Sequence, residues 1–173
     1  MKLKKGLVQV YTGNGKGKTT AAFGLALRAT GAGLKVYILQ FIKGRFYSEL
    51  AAFKRIKGLK IVQSGRGCFI RKKPNQRDRD LAEKGLLKAE ANIMSGIYDV
   101  VILDEVNVAL HFELLNTEDI ITLIKKKPKN VELVLTGRYC PQEILKQADL
   151  VTEMREIKHP YRKGIGARRG IEY

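Results

Sequence analysis

Nine consecutive residues near the start of the chain, Thr12-Gly13-Asn14-Gly15-Lys16-Gly17-Lys18-Thr19-Thr20, combine three glycines, two lysines and three hydroxyls. A glycine-rich loop between a buried strand and a helix lets successive backbone N–H groups converge on phosphate oxygens. The helix N-terminus adds its partial positive charge. Lys18 is placed to reach bridging and outer phosphate oxygens, and Thr19 to set a hydroxyl on Mg²⁺. The usual spacing is G-x-x-x-x-G-K-[ST]. Here Thr12 stands where the first glycine belongs and Gly13 follows one step later, while the Gly-Lys-Thr core is intact. The loop reads as a site for a nucleoside triphosphate. Lys16, inside it, is either a solvated side chain or an extra cation over a polyphosphate that must carry developing charge.

A second group with chemical potential is Asp104-Glu105, directly after the apolar run Val100-Val101-Ile102-Leu103. Carboxylates at a strand end match a Walker B pattern, binding Mg²⁺ directly or through water; the alternative is a solvated turn. Leu135-Thr136-Gly137-Arg138 ends another apolar run. Thr136 and Arg138 either face the phosphates or, for Arg138, join an interface or structural ion pair. His111 and His159 are isolated in sequence, and no nucleophile–base triad is evident. Cys68 and Cys140 read as small, partly buried side chains.

The elements that must position these groups alternate along the chain. Strands are expected over 7–11, 35–42, 58–63, 100–103, 131–135 and 150–154. A helix rich in Ala and Leu is expected over 19–30, stopped by Gly31 and Gly33. In 80–96, Ala82, Leu86, Ala89, Ile93 and Ile97 recur at helical spacing and define one face. Asn116 or Asp119 caps a further helix ending at Lys125–Lys127 before Pro128, and Pro141 opens a short one. Strands separated by helices imply right-handed crossovers and a mainly parallel sheet in an α/β domain. Ligands bind beyond the carboxyl ends of such strands, which here means just after Tyr11, Ile42, Leu103 and Leu135.

The 173 residues read as one domain over 1–173, with no repeat and no linker. Two cysteines exclude a disulfide framework. No apolar run approaches the roughly 20 residues of a membrane span, and the opening MKLKKGLVQV is too short for a signal peptide. The expectation is a soluble cytoplasmic protein with no membrane partner. Its formal net charge is +16, from 33 Lys and Arg against 17 Asp and Glu. Residues 43–79 hold twelve basic side chains against Glu49 and Asp78, and residues 158–173 hold five against Glu172. Such a field draws an anionic partner, or else is an ordinary solvated surface.

The segments TGNGKGKTTAAFGLALRA, VYILQFIKG, VVILDE, LTGR and VTEMREIKHPYRKGIGARRGIEY follow one another through residues 7–173. In these the chain resembles the ATP:corrinoid adenosyltransferases of the cobalamin-synthesis type, the cob(I)yrinic acid a,c-diamide adenosyltransferases. TGNGKGKTTAA followed by QFIKG is far more specific than a phosphate loop alone. The resemblance implies a RecA-like, three-layer P-loop fold and a homodimer. ATP with Mg²⁺ (or Mn²⁺) is the expected co-substrate, a reduced corrinoid the substrate, and an electron-donor protein a further partner. In that family a Co(I) corrinoid attacks the 5′ carbon of ATP and expels triphosphate, with the nucleotide reversed in the loop. By position, Asn14, Gly15, Lys16, Gly17, Lys18, Thr19 and Thr20 would bind the triphosphate beside Gly13 and Arg138. Thr19, Asp104 and Glu105 would lie near the metal, and Lys16, Lys18 and Glu105 would carry the catalysis.

Two departures concern the corrinoid. Members that displace its lower ligand with Phe and Trp differ from this chain, which has no Trp. Phe69 is the candidate for that face, or an ordinary core residue. Some members also carry an N-terminal extension that helps close the site; here few residues precede the first strand, so closure is expected to come from elsewhere or to be incomplete. The basic stretch 43–79 would face corrinoid carboxylates or phosphate. Two further readings are a P-loop kinase or NTPase releasing ADP, and a basic ATP-regulated nucleic-acid-binding protein. Charge alone speaks for the last, without a recognition motif.

Overall fold

The computed structural model describes residues 2–44, 47–67 and 74–172. Six strands, β1 (Val8–Thr12), β2 (Val36–Lys43), β3 (Leu59–Gly67), β4 (Val100–Asp104), β5 (Glu132–Thr136) and β6 (Leu150–Glu153), form one sheet in the order β3-β2-β4-β5-β1-β6. Every pairing is parallel. The helices are α1 (Lys18–Gly31), α2 (Ser48–Phe53), α3 (Gln76–Met94), α4 (Val106–His111), α5 (Thr117–Lys126) and α6 (Gln142–Leu145).

Alternation along the central strands sorts their side chains into two cores. Val36, Ile38, Val100 and Ile102 pack with Ala22, Phe23, Ala26 and Ala29 of α1 and Phe53 of α2. Tyr37, Leu39, Phe41, Val101 and Leu103 pack instead with α3, α4, α5 and α6. Both faces are covered, which is why these strands read as unbroken apolar runs. The result is a helix–sheet–helix sandwich, the three-layer α/β arrangement expected from sequence.

Register brings the strand ends together. Gln40 lies opposite Asp104 across β2 and β4, and Tyr11 opposite Thr136 across β1 and β5. The four strands thus deliver Thr12, Lys43, Asp104 and Thr136 to one rim.

Several boundaries differ from the sequence expectation. Helix α3 begins at Gln76, because Asn75 Oδ1 accepts from Asp78 N while Asp78 Oδ2 accepts from Asn75 N, a capping box. It ends at Met94; the left-handed turn at Gly96 (φ 67°) then throws Ile97 off the expected face, and Ile97 is 52% exposed. Helices α2 and α4, six residues each, are too short for periodicity to reveal. Asn116 stands at the start of α5, but its side-chain amide donates to Asp119 and caps no backbone group. All four residues of edge strand β6 are exposed. Among the described residues no helix is long and apolar enough to cross a membrane. Cys68 and Phe69 lie outside the described residues.

Candidate active site

The loop between β1 and α1 turns through left-handed backbone at Gly13 (φ 94°) and Gly17 (φ 119°). It also lies against the chain that follows β6: Gly15 N donates to Met154 O at 2.6 Å. A Cβ on Gly13 would stand 2.4 Å from Met154 O, and one on Gly15 2.7 Å from the Arg155 carbonyl. Close backbone approach therefore demands glycine at both positions. Lys18, the first residue of α1, is only 7% exposed. Its Nζ donates to Gly13 O (2.8 Å) and Gly15 O (2.7 Å), so the ammonium lies inside the loop. Desolvation pulls its pKa below the ordinary lysine value, with Glu105 and Asp104 opposing and Arg138 assisting.

Asp104, fully buried at the end of β4, is the hub of the rim. Its Oδ1 accepts from Thr19 Oγ1 and Thr136 Oγ1, each at 2.8 Å. Its Oδ2 accepts from Lys43 Nζ at 2.9 Å and Gln40 Nε2 at 3.1 Å. Burial alone would raise this carboxyl, but Lys43 and the two hydroxyls outweigh it and hold the pKa below the usual range. For Lys43, desolvation is likewise outweighed by Asp104, and the ammonium is held above its ordinary value. Neighbouring Glu105 goes the other way: desolvation and the charge of Asp104 raise it, against Lys43, Lys18 and Arg138.

Three non-glycine residues at this rim occupy left-handed backbone: Ile42 (φ 67°), Glu105 (φ 61°) and Tyr139 (φ 62°). A β-branched residue such as Ile42 is a genuine outlier there, and such strain clusters at functional sites. All three line a cavity of about 890 Å³, a volume suited to a small-molecule site. Its floor is Gly15–Thr20, with Lys43 and Arg138 adding charge and Phe23, Leu27, Phe53 and Phe112 adding an apolar wall. The Tyr139 ring stacks on His111 at 4.1 Å between centroids.

The sequence-nominated residues are distributed as follows. Gly15, Lys16, Gly17, Lys18, Thr19, Thr20, Glu105 and Arg138 line the cavity. Gly13 belongs to the loop behind it, Asn14 is exposed outside it, and Asp104 is buried and touches the lining residues Thr19 and Lys43. Thr136 is buried and faces Asp104, with Glu105 N donating to its hydroxyl at 3.0 Å. Burial pushes the Cys140 thiol up to about 12, so it is no nucleophile at neutral pH.

Sequence reasoning did not single out Gln40 and Lys43 as partners of Asp104. Nor did it find the contact made by Lys16, whose Nζ donates to Glu172 Oε1 at 2.9 Å and Ile171 O at 3.3 Å. The signal for the first was present in QFIKG, at the end of an apolar strand. The second joins residues 156 positions apart and left no local trace.

Among the described residues no three His, Cys, Asp or Glu side chains cluster as a ready-made metal site. Thr19, Asp104 and Glu105 nevertheless supply hard oxygens, the donor type that suits Mg²⁺ held by one or two carboxylates together with substrate phosphates.

Residues 4–173 match the family model described as ATP:corrinoid adenosyltransferase BtuR/CobO/CobP. The chain is similar to a corrinoid adenosyltransferase of Sinorhizobium sp., 37% identical over 174 residues that cover 98% of this chain and 81% of the relative. It is also similar to the corrinoid adenosyltransferase of Escherichia coli K12, 34% identical over 98% of this chain and 87% of the relative. A third, from Pseudomonas aeruginosa, is 36% identical over 98% and 85% respectively.

Proposed function

The chain belongs to the ATP:corrinoid adenosyltransferase family, and from that premise we propose that it transfers the 5′-deoxyadenosyl group of ATP to the Co(I) centre of a corrinoid and releases triphosphate. The observation that carries this reading is the glycine loop with Lys18 inside it, opening onto the cavity beside Thr19 and Glu105.

The reaction breaks the bond between the 5′ carbon and the triphosphate oxygen, so negative charge grows on the departing phosphates. Contacts that strengthen with that charge lower the barrier, whereas equal contacts to ATP and transition state would not. The backbone N–H of Gly17, the lysines 16 and 18, and the hydroxyls of Thr19 and Thr20, all lining the cavity, are the contacts we assign to this task. Arg138, lining the same cavity, adds a further cation. The reduced cobalt of the substrate is itself the nucleophile, so the protein's part is positioning and electrostatics. Mg²⁺ (or Mn²⁺), held by Thr19 and Glu105 with Asp104 behind them, would supply neutralisation of phosphate charge.

A homodimer fits the exposed apolar side chains Leu150, Val151, Ile157, Tyr161 and Ile165 on one stretch of chain. An electron donor that generates Co(I), and a cytoplasmic setting in which such a donor operates, complete the proposal.

The test is incubation with ATP, Mg²⁺ and a chemically reduced corrinoid, read by visible spectrum and phosphate products. A light-sensitive Co–C adduct with intact tripolyphosphate supports the reading. ADP or orthophosphate, without the adduct, overturns it.

A further inference from the structure

We propose that Glu172 is a positioning residue for the transfer reaction: with the Ile171 carbonyl it fixes the Lys16 ammonium over the phosphate loop, leaving one N–H for the departing triphosphate. This rests on the reading of the loop as the triphosphate site.

A lysine ammonium has three N–H donors on a flexible stem. Lys18 spends two of its donors on Gly13 O and Gly15 O, within its own loop. Lys16 spends two on residues far away in sequence, Glu172 Oε1 at 2.9 Å and Ile171 O at 3.3 Å. The Lys16 side chain is 48% exposed. Among the described residues, those two acceptors are what hold it at the loop.

The acceptor is itself held. Glu172 Oε2 takes Arg168 N at 2.7 Å and Arg168 Nε at 3.3 Å, and Oε1 takes Arg168 Nη2 at 3.1 Å. The hydrogen bonds from Arg168 and Lys16 together hold its carboxyl down at about 2. Gly170, Ile171 and Glu172 line the same cavity as Gly15–Thr20. A carboxylate beside an anion site would oppose binding if it served only as a surface charge. Locked by one arginine and turned onto Lys16, it acts instead as a bracket that sets where the lysine's remaining donor points. Preorganised donors of this kind cost no reorganisation as charge develops.

The experiment compares wild type, Glu172→Gln, Lys16→Ala, the double variant and Lys18→Ala, by steady-state transfer and by calorimetry with inorganic tripolyphosphate. Thermal melts verify folding of each. Glu172→Gln should lower kcat about tenfold, the scale of one lost hydrogen bond to a charged group, with a smaller change in KM for ATP. It should also weaken tripolyphosphate binding. In the Lys16→Ala background Glu172→Gln should cost nothing further. An equal cost in both backgrounds would make residue 172 merely structural, and unchanged or tighter tripolyphosphate binding in Glu172→Gln would also overturn the proposal. Lys18→Ala tests the underlying reading separately: if tripolyphosphate binds this variant normally, the loop assignment fails. If Lys18→Ala loses binding while Glu172→Gln does not, only the role of Glu172 fails.

Discussion

Asp104 and Glu105 are adjacent carboxylates with opposite energetics. Asp104 is a buried anion matched by Lys43 and three neutral donors. Glu105 sits half-buried on strained backbone (φ 61°) with its pKa raised by desolvation and by Asp104. A carboxyl whose folded pKa is lowered contributes stability above its unfolded value, and loses it as pH falls through the folded value. One whose folded pKa is raised subtracts stability once ionised. Asp104→Asn strands the Lys43 charge, and urea unfolding at pH 7 should show a loss of about 3–5 kcal/mol. Glu105→Gln removes a costly charge, so the same measurement should show equal or greater stability while transfer activity falls. At this scale the contiguous loop and the acidic pair were legible in sequence, because each is a short run of telling residue types. Glu172 was not, since a lone Glu among 17 acidic residues carries no mark of its partner.

Helix α3 illustrates what periodicity can and cannot tell about an element. Its apolar spacing announced a helix, but gave no account of Gly85 in its middle. Gly85 is instead where α3 meets the sheet: a Cβ there would stand 2.5 Å from Ser64 Oγ and 2.9 Å from Ser64 Cβ on β3. In α1, by contrast, a Cβ on Gly24 would meet nothing within 4 Å. Propensity favours Ala over Gly by about 0.8–1.0 kcal/mol at either site. Denaturant unfolding should therefore show Gly24→Ala gaining up to about 1 kcal/mol, while in Gly85→Ala overpacking, typically about 1–3 kcal/mol, outweighs the gain. Strand positions were readable because both faces are buried. Helices of six residues, and the point where α3 stops, were decided by local packing and by the turn at Gly96.

For the molecule as a whole, parallel pairing and a ligand site at the carboxyl rim follow from alternation of strands and helices. The order β3-β2-β4-β5-β1-β6 does not, because tertiary contacts choose which crossovers go where. Nucleotide binding should stabilise the entire fold. At a hundredfold excess over Kd the linkage is about 2.7 kcal/mol, equivalent to a Tm rise of about 5–10 °C for a domain of this size. Thermal scanning with ATP and Mg²⁺ should record that rise, and Lys18→Ala should lose most of it at the same ATP concentration. The strand order also carries a consequence for biosynthesis. Strand β1, the earliest to leave a ribosome, is seated between β5 and β6, the latest two. Its glycine cradle leans on Met154 and Arg155, and Lys16 waits for Glu172. The phosphate loop is therefore without these distant supports until translation has passed β6 and the segment that follows it.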